Sequence, residues 1–214
     1  MKLGVFDSGI GGEALAQALR KTFPNAEILT ANDRANLPYG DKPPERIIAL
    51  TETAIRPLLA AACDVIVIAC NTATAVAIDT LRQNHPAQKF IGIEPMIKTA
   101  ATLTKTKTIA VCATPATLAS ARYKRLVRDF AAGLELIEPP CADWPRLIED
   151  DAINRAHIQK TIDSVCERGA DVIVLGCTHF HWIKELIEEL ARDRACVIEP
   201  TEAIGRRVKS LLAG

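Results

Sequence analysis

Two stretches decide the fold: DVIVIACNTAT at residues 64–74 and DVIVLGCTHF at residues 171–180. Each runs from an aspartate through four branched aliphatic residues to a small residue, a cysteine and polar side chains. A short, continuous apolar run of this kind is typical of a strand that is buried on both faces of a parallel sheet. The chain therefore contains the same strand twice, and each copy ends on a thiol.

Further pairs of similar segments accompany these two strands at a nearly constant spacing. KLGVFDSG near residue 4 resembles KTIAVCAT near residue 110, and AEILT at 26 resembles LELIE at 134. IGIEP ending at Pro95 likewise resembles CVIEP ending at Pro200. Because the pairs occur in the same order in both halves, they predict a tandem duplication.

Each half is predicted to alternate strands and helices. The predicted strands cover 2–6, 27–31, 64–69 and 90–93, then 108–112, 134–138, 171–176 and 196–198. The predicted helices cover 12–22, 43–62, 72–84, 116–131, 151–168 and 181–192, with a closing helix at 201–212. The expected fold is α/β, with two similar parallel-sheet domains related by a pseudo-two-fold duplication and an active site in the cleft between them. The first domain is predicted at 1–95, completed by 200–214, and the second at 96–199.

Composition indicates an ordinary soluble globular protein. The 214 residues are 49% hydrophobic, and 26 basic residues balance 26 acidic ones. That balance does not favour a nucleic-acid partner, and no apolar run reaches the length of a membrane span. The N-terminal segment turns polar at Asp7, too early for a secretory signal, so a cytoplasmic location is expected.

The cysteines are expected to be free thiols. Their number, seven, is odd, and no CxxC pair is present, so the sequence carries no signal for a zinc site. Cys63, Cys112 and Cys196 lie in apolar stretches and are predicted to be small core residues. Cys141 and Cys166 carry no clear signal.

Polar residues cluster where the predicted central strands end. Ligands of open α/β sheets bind beyond the carboxyl ends of such strands. A thiol placed after a strand and before a helix lies where backbone N–H groups favour the thiolate, which can act as a base. Two such groups on opposite faces of a carbon atom are what inversion of a stereocentre requires. In the two halves these ends carry Asp7, Ser8, Cys70, Asn71 and Thr72, and Thr114, Cys177, Thr178 and His179.

Two loops of the first half complete the predicted site. FDSGIGG at residues 6–12 lacks both the P-loop lysine and a GxGxxG pattern, so nucleotide binding is not favoured. It is predicted to be a tight strand-to-helix turn whose amides can hold a carboxylate. PYG at residues 38–40 is a turn that is expected to wall the pocket.

The motifs FDSGIGG, LPYG, ACNTAT, GIEP, ATPATLAS and LGCTH occur in that order, and in combination they are highly specific. With them the chain resembles the aspartate/glutamate racemase family over nearly all of residues 3–208. The resemblance implies interconversion of L- and D-glutamate by two cysteines, with D-glutamate supplying peptidoglycan synthesis, and hence cell-wall biogenesis and cell shape. It implies that neither a metal nor an organic cofactor is needed. The expected partner is the small-molecule substrate, and a homodimer is a possible assembly.

The resemblance also implies a role for each matched residue. Cys70 and Cys177 would be the two bases, with Cys70 acting on D-glutamate and Cys177 on L-glutamate. Asp7, Glu149 and His179 would assist proton transfer. The residues expected to hold the amino acid are Ser8, Pro38, Tyr39, Gly40, Asn71, Thr72, Thr114, Thr117 and Thr178.

The chain departs from the family pattern next to two of these motifs, and alternatives stay open. Glu13-Ala14 stands where Leu-Ser is usual, and Phe180-His181 stands where Tyr-Pro is usual. These departures bear on substrate preference, catalytic rate and subunit packing. The alternatives are a racemase for aspartate or another amino acid, and a catalytically silent amino-acid-binding protein. Decarboxylases and isomerases of the same superfold often keep only one of the two thiols.

Overall fold

The computed structural model describes residues 1–213, along which strands and helices alternate. The first elements are β1 (Lys2–Asp7), α1 (Gly11–Thr22), β2 (Glu27–Asn32), α2 (Pro44–Ala54), α3 (Arg56–Ala60), β3 (Val65–Ile68), α4 (Asn71–Asn84) and β4 (Phe90–Gly92). They are followed by α5 (Ile97–Leu103), β5 (Thr108–Ala113), α6 (Pro115–Ala119), α7 (Ala121–Phe130), β6 (Glu135–Ile137), α8 (Trp144–Glu149), α9 (Arg155–Glu167), β7 (Val172–Gly176), α10 (Lys184–Ala191), β8 (Cys196–Ile198) and α11 (Thr201–Ala213). Short 3-10 turns lie at Arg34–Asn36, Tyr39–Asp41, Thr178–Ile183 and Arg192–Arg194.

The strands form two four-stranded parallel sheets with the same internal order. One sheet has the order β2-β1-β3-β4 and the other β6-β5-β7-β8. In both sheets the first and third strands of the half-chain are the two central neighbours. The predicted α/β class with two parallel sheets is confirmed.

The chain divides into two compact units. Unit 1 comprises Met1–Glu94 and the segment from Pro200 onward, and unit 2 comprises Pro95–Glu199. Helix α11 belongs to unit 1, where Ile204 and Val208 join the apolar cluster that contains Leu15. The end of the chain therefore helps to cover the first sheet.

The central strands are apolar throughout because helices cover both of their faces. All four residues of β3 are fully buried. Ile66 and Ile68 pack in a cluster with Ile78 of α4, whereas Val65 and Val67 pack on the opposite face in the cluster that includes residues of α1. Each such side chain contributes roughly 1.5–3 kcal/mol by leaving water. This two-sided burial explains why the strand shows no alternation of polar and apolar residues.

Several predicted helices are divided or shortened. The helix expected at 43–62 breaks at Ile55, because Pro57 has no N–H and its ring crowds the preceding turn. The helix expected at 116–131 is also two helices, since Ser120 is extended and its hydroxyl caps α7 by accepting from the Tyr123 amide. Two further helices, α5 and α8, were not predicted and occupy the connections after β4 and β6.

The cysteines differ in exposure. Cys63 and Cys112 are buried, as predicted, but Cys196 is exposed. The prediction of a core position for Cys196 is wrong because β8 is an edge strand, one side of which no neighbouring strand covers. In residues 1–213 no helix combines the length and apolar character that crossing a membrane demands.

Candidate functional site

In unit 1 the candidate residues gather at the carboxyl ends of β1 and β3. These two strands are paired, with Phe6 opposite Ile68, so the residues that follow them emerge side by side. The Ser8 Oγ and Cys70 Sγ atoms are 3.2 Å apart and hydrogen-bonded. Both side chains are buried, at 3% and 6% exposure. Cys70, the first of the two candidate thiols, is therefore buried and hydrogen-bonded to a neighbouring hydroxyl.

Cys70 is also the residue that caps helix α4. Its Sγ accepts a hydrogen bond from the Ala73 amide at 3.4 Å, at the positive end of the helix dipole. Burial nevertheless raises the pKa of the Cys70 thiol to about 11, and the nearby Asp7 carboxylate adds to the rise. The Ser8 hydroxyl and the amides of Ala73 and Ser8 offset only part of it. The expectation that this position favours the thiolate is thus wrong for Cys70. The loss of hydration raises the pKa of the thiol by more than the hydrogen bonds at the start of α4 lower it.

Asp7 is held by the glycine-rich turn that follows it. Its Oδ1 accepts from the Gly9 amide at 2.8 Å, and the side chain is 1% exposed. A Cβ on Gly12 would lie 2.6 Å from the Asp7 Cβ, closer than real side chains approach. The second glycine of the GG pair is therefore required because α1 begins directly against Asp7.

The two polar residues after Cys70 are buried rather than exposed. Asn71 and Thr72 are each 3% exposed. Neither Nδ2 nor Oδ1 of Asn71 has a hydrogen-bond partner within the described part of the chain. A buried polar group left unpaired costs about 1–3 kcal/mol, so the amide is poised to pair with a polar ligand.

The PYG loop lies beside the same strand end. Pro38 is exposed and Gly40 is partly buried, whereas Tyr39 is 2% exposed. The Tyr39 ring packs in the apolar cluster that contains Phe6 and Cys70. Its hydroxyl donates to Asp33 at 2.8 Å, so it is already engaged within the protein.

In unit 2 the second thiol belongs to a short chain of acid and base groups. The Cys177 Sγ is 3.7 Å from Nδ1 of His179, and Nε2 of that ring is 2.8 Å from Oε1 of Glu149. The thiol is 6% exposed, and the side chains of His179 and Glu149 are 4% and 9% exposed. Because an ionised carboxylate only accepts, Nε2 carries the hydrogen and Nδ1 is free to take a proton from the thiol.

The threonines of unit 2 have unequal surroundings. Thr114 caps α6 by accepting from the Thr117 amide at 3.3 Å, and the two hydroxyls are 3.0 Å apart. Thr117 is fully buried, whereas Thr114 keeps 7% exposure and directly follows β5, the neighbour of β7. Thr178 is 1% exposed. Thr114 therefore lies next to the strand end that carries Cys177.

An aromatic pair joins the two elements that carry Glu149 and His179. The rings of Trp144 and Phe180 are fully buried, with centroids 5.2 Å apart and planes at 63°. Trp144 begins α8 and Phe180 follows His179, so the pair packs the helix against the 3-10 turn. No motif or spacing in the sequence marks either Trp144 or Asp33, so neither residue was predicted to belong to the site.

No group of three or more His, Cys, Asp or Glu side chains within residues 1–213 is arranged to hold a metal ion.

Comparison with known proteins gives consistent matches. The family model described as Asp/Glu/Hydantoin racemase matches residues 13–208. The glutamate racemase of Herpetosiphon aurantiacus is 37% identical over 215 residues, which covers 99% of this chain and 84% of the relative. The crystal structure of the Francisella tularensis glutamate racemase with D-glutamate matches with a TM-score of 0.83 and 29% identity, over 99% of this chain and 80% of that one. The Escherichia coli glutamate racemase with L-glutamate and the activator UDP-MurNAc-ala matches with a TM-score of 0.82 and 26% identity, over 99% and 82%.

Proposed function

Because the chain belongs to the Asp/Glu/hydantoin racemase family, we propose that it interconverts L-glutamate and D-glutamate by proton transfer between two cysteine thiols. The enzyme is an amino-acid racemase, an isomerase. Its D-glutamate would serve peptidoglycan synthesis, as the family implies. One observation carries the proposal: in each unit the third strand ends at a buried thiol that is hydrogen-bonded to a polar side chain, Cys70 to Ser8 and Cys177 to His179.

The substrate class follows from the polar groups near the thiols. Solved relatives contain D-glutamate or L-glutamate, which are small zwitterions. In this chain the unpaired amide of Asn71 and the buried hydroxyls of Thr72 and Thr178 suit the carboxylates and ammonium group of such a molecule. We assign substrate binding to these residues together with Ser8, Pro38, Tyr39, Gly40, Thr114 and Thr117.

The proposed reaction starts with removal of the Cα proton from L-glutamate. Cys177 takes this proton as a thiolate, after its own proton has passed to His179, which Glu149 orients and stabilises when charged. The Cα–H bond breaks and its electron pair stays on the carbon as a carbanion. Cys70 then donates its proton to the opposite face of the carbon and yields D-glutamate.

The raised pKa of Cys70 suits this donor role, since the group is a thiol at neutral pH. In the reverse direction Cys70 must first pass its proton to the nearby Asp7 carboxylate, which leaves a thiolate that can act on D-glutamate. The positive ammonium group of the substrate, placed near Asp7, would offset the negative charge that contributes to the high pKa. The mechanism requires that Cys70 and Cys177 reach opposite faces of one Cα atom.

The decisive test is the circular dichroism of L-glutamate incubated with the purified protein. The signal is expected to decay to zero, because equal amounts of the enantiomers are the equilibrium state. Chiral chromatography should show D-glutamate appearing at the same rate. A constant signal accompanied by measurable binding would favour a silent binding protein. Equal rates with aspartate would exclude the glutamate preference, since a site built around one polar side chain rejects analogues that leave its polar groups unpaired.

We further propose a cytoplasmic location and a homodimer. All seven cysteines are free, which suits a reducing compartment. Leu103, Phe130 and Trp182 in unit 2 leave 46%, 38% and 48% of their surface exposed, and a second copy would cover such apolar side chains. Light scattering coupled to size-exclusion chromatography distinguishes a monomer from a dimer.

A further inference from the structure

We propose that Asp33 is a positioning residue that holds the loop 38–41 beside the Cys70 thiol. The inference rests on the proposed function, because it concerns the same site. Asp33 lies outside the sequence motifs described above.

The position of Asp33 connects it to the candidate site. It directly follows β2, whose last residue Asn32 pairs with Asp7 across the sheet. Asp33 therefore starts its loop at the sheet edge where the Asp7 side chain is held. Because Asp33 directly follows a paired strand, the sheet fixes the position from which the loop begins.

The carboxylate of Asp33 closes that loop with two hydrogen bonds. Oδ1 accepts from the side-chain amide of Asn36 at 2.8 Å, and Oδ2 accepts from the hydroxyl of Tyr39 at 2.8 Å. Both carboxylate oxygens thus bind side chains of the same loop. Bonds to an ionised acceptor are stronger than neutral ones, so this pair is a specific restraint.

Tyr39 connects the restrained loop to the surroundings of the Cys70 thiol. Its ring centroid lies 6.4 Å from that of Phe6, and it shares an apolar cluster with Cys70. The turn Tyr39–Asp41 contacts α4, the helix that Cys70 caps. Burial, and then the hydrogen bond to Asp33, raise the pKa of the Tyr39 hydroxyl well above its ordinary value, so it remains a donor. The Tyr39 hydroxyl therefore serves the loop, and Tyr39 contributes to the site through the position of its ring and backbone.

The experiment compares four variants of the full chain with the wild-type protein: Asp33→Ala, Tyr39→Phe, the double variant, and Asp33→Asn. Asp33→Ala and Tyr39→Phe should each raise the KM for both enantiomers about tenfold or more, because small misplacements at a reacting centre are costly. The double variant should be no worse than the more impaired single variant, since each single variant already lacks the hydrogen bond between Asp33 and Tyr39. Asp33→Asn keeps an acceptor oxygen and should recover part of the loss.

The matched control is Asp41→Asn, which removes an exposed carboxylate from the same turn and should leave KM and kcat unchanged. Melting temperatures separate positioning from folding. A fall in the folded fraction of Asp33→Ala with an unchanged KM would show a structural role only and overturn the inference. Full additivity in the double variant would also overturn it, because Asp33 would then not act through Tyr39.

A readout that does not need turnover separates this inference from the proposed function. In Asp33→Ala the loosened loop should make iodoacetamide alkylate Cys70 several times faster than in the wild-type protein. Absence of racemisation in the wild-type protein would refute the proposed function but leave this comparison intact. Equal alkylation rates of Cys70 in the two proteins would refute the role of Asp33.

Discussion

Glu149 and His179 come from separate elements, the end of α8 and the turn after β7, yet their Oε1 and Nε2 atoms lie 2.8 Å apart. Both side chains are almost wholly buried. The imidazole therefore has a fixed orientation, with its other nitrogen towards Cys177. The reactivity of the Cys177 thiol should therefore depend on the hydrogen bond between Glu149 and His179.

Glu149→Gln tests that dependence. The amide cannot stabilise an imidazolium as a carboxylate does, so kcat should fall about 100-fold or more while the fold persists. Steady-state kinetics in both directions measure the loss. Glu189→Gln is the control, because it breaks an exposed ion pair with Arg155 and should have little effect. Unchanged kcat in Glu149→Gln would contradict the assisting role.

Asp7→Asn and Ser8→Ala should shift the pKa of Cys70 in opposite directions. Removing the Asp7 charge stabilises the thiolate and lowers the pKa below about 11, whereas losing the Ser8 donor raises it further. Since only the thiolate reacts, alkylation of Cys70 at a given alkaline pH should be faster in Asp7→Asn and slower in Ser8→Ala. Mass spectrometry of the Cys70 peptide measures the rate, with the exposed Cys196 as an internal reference. Shifts of the same sign would disprove the electrostatic account.

Replacing either thiol should abolish racemisation, because inversion needs a base on one face and an acid on the other. In heavy water Cys177→Ala should exchange the Cα hydrogen of D-glutamate only, and Cys70→Ala that of L-glutamate only. Serine at either position should leave feeble activity at most. Cys196→Ala is the control and should behave as wild type. Full racemisation by a one-thiol variant would eliminate the two-base mechanism, whereas the opposite exchange preference would reverse the assignment of faces.

Gly12→Ala should destabilise the protein and impair activity together. The added Cβ would lie 2.6 Å from the Asp7 Cβ, so backbone or side chain must move, at a cost of about 1–3 kcal/mol. Gly205→Ala in α11 is the matched control, because its Cβ would meet the nearest atom, in Thr22, at 3.7 Å. Alanine there should stabilise the helix by about 0.5–1 kcal/mol. Urea unfolding of both variants measures the difference. An unchanged free energy of unfolding in Gly12→Ala would show that the turn accommodates the added Cβ without cost.

Trp144→Ala should lower the free energy of unfolding by about 3–5 kcal/mol, since it removes a fully buried indole. It should also reduce kcat more than Trp182→Ala, which truncates a half-exposed side chain on the neighbouring turn. The reason is that Trp144 anchors α8, which ends at Glu149. Denaturant unfolding and kinetics together provide the check. Normal kcat in a folded Trp144→Ala variant would show that α8 keeps its place without the aromatic pair.

Much of the architecture was predictable because its signals are local. The apolar runs at 64–69 and 171–176 predicted buried parallel strands, and both strands are central in their sheets. Pro57 was present in the sequence, but a single helix was predicted over 43–62, and the structure divides it into α2 and α3. Helix α8 escaped prediction because it has only six residues and packs through Trp144 against Phe180, which is distant in the sequence.

The sequence by itself determined the two-fold repetition, the α/β class, and the placement of a thiol after the third strand of each half. These properties depend on residue order and periodicity, which act over a few neighbours along the chain. Only the tertiary structure decided that Cys70 is a thiol with a raised pKa, that Tyr39 is held by Asp33, and that Glu149 reaches His179. Burial and hydrogen bonding between distant residues set those features, because hydration lost and partners gained depend on the folded surroundings of a side chain.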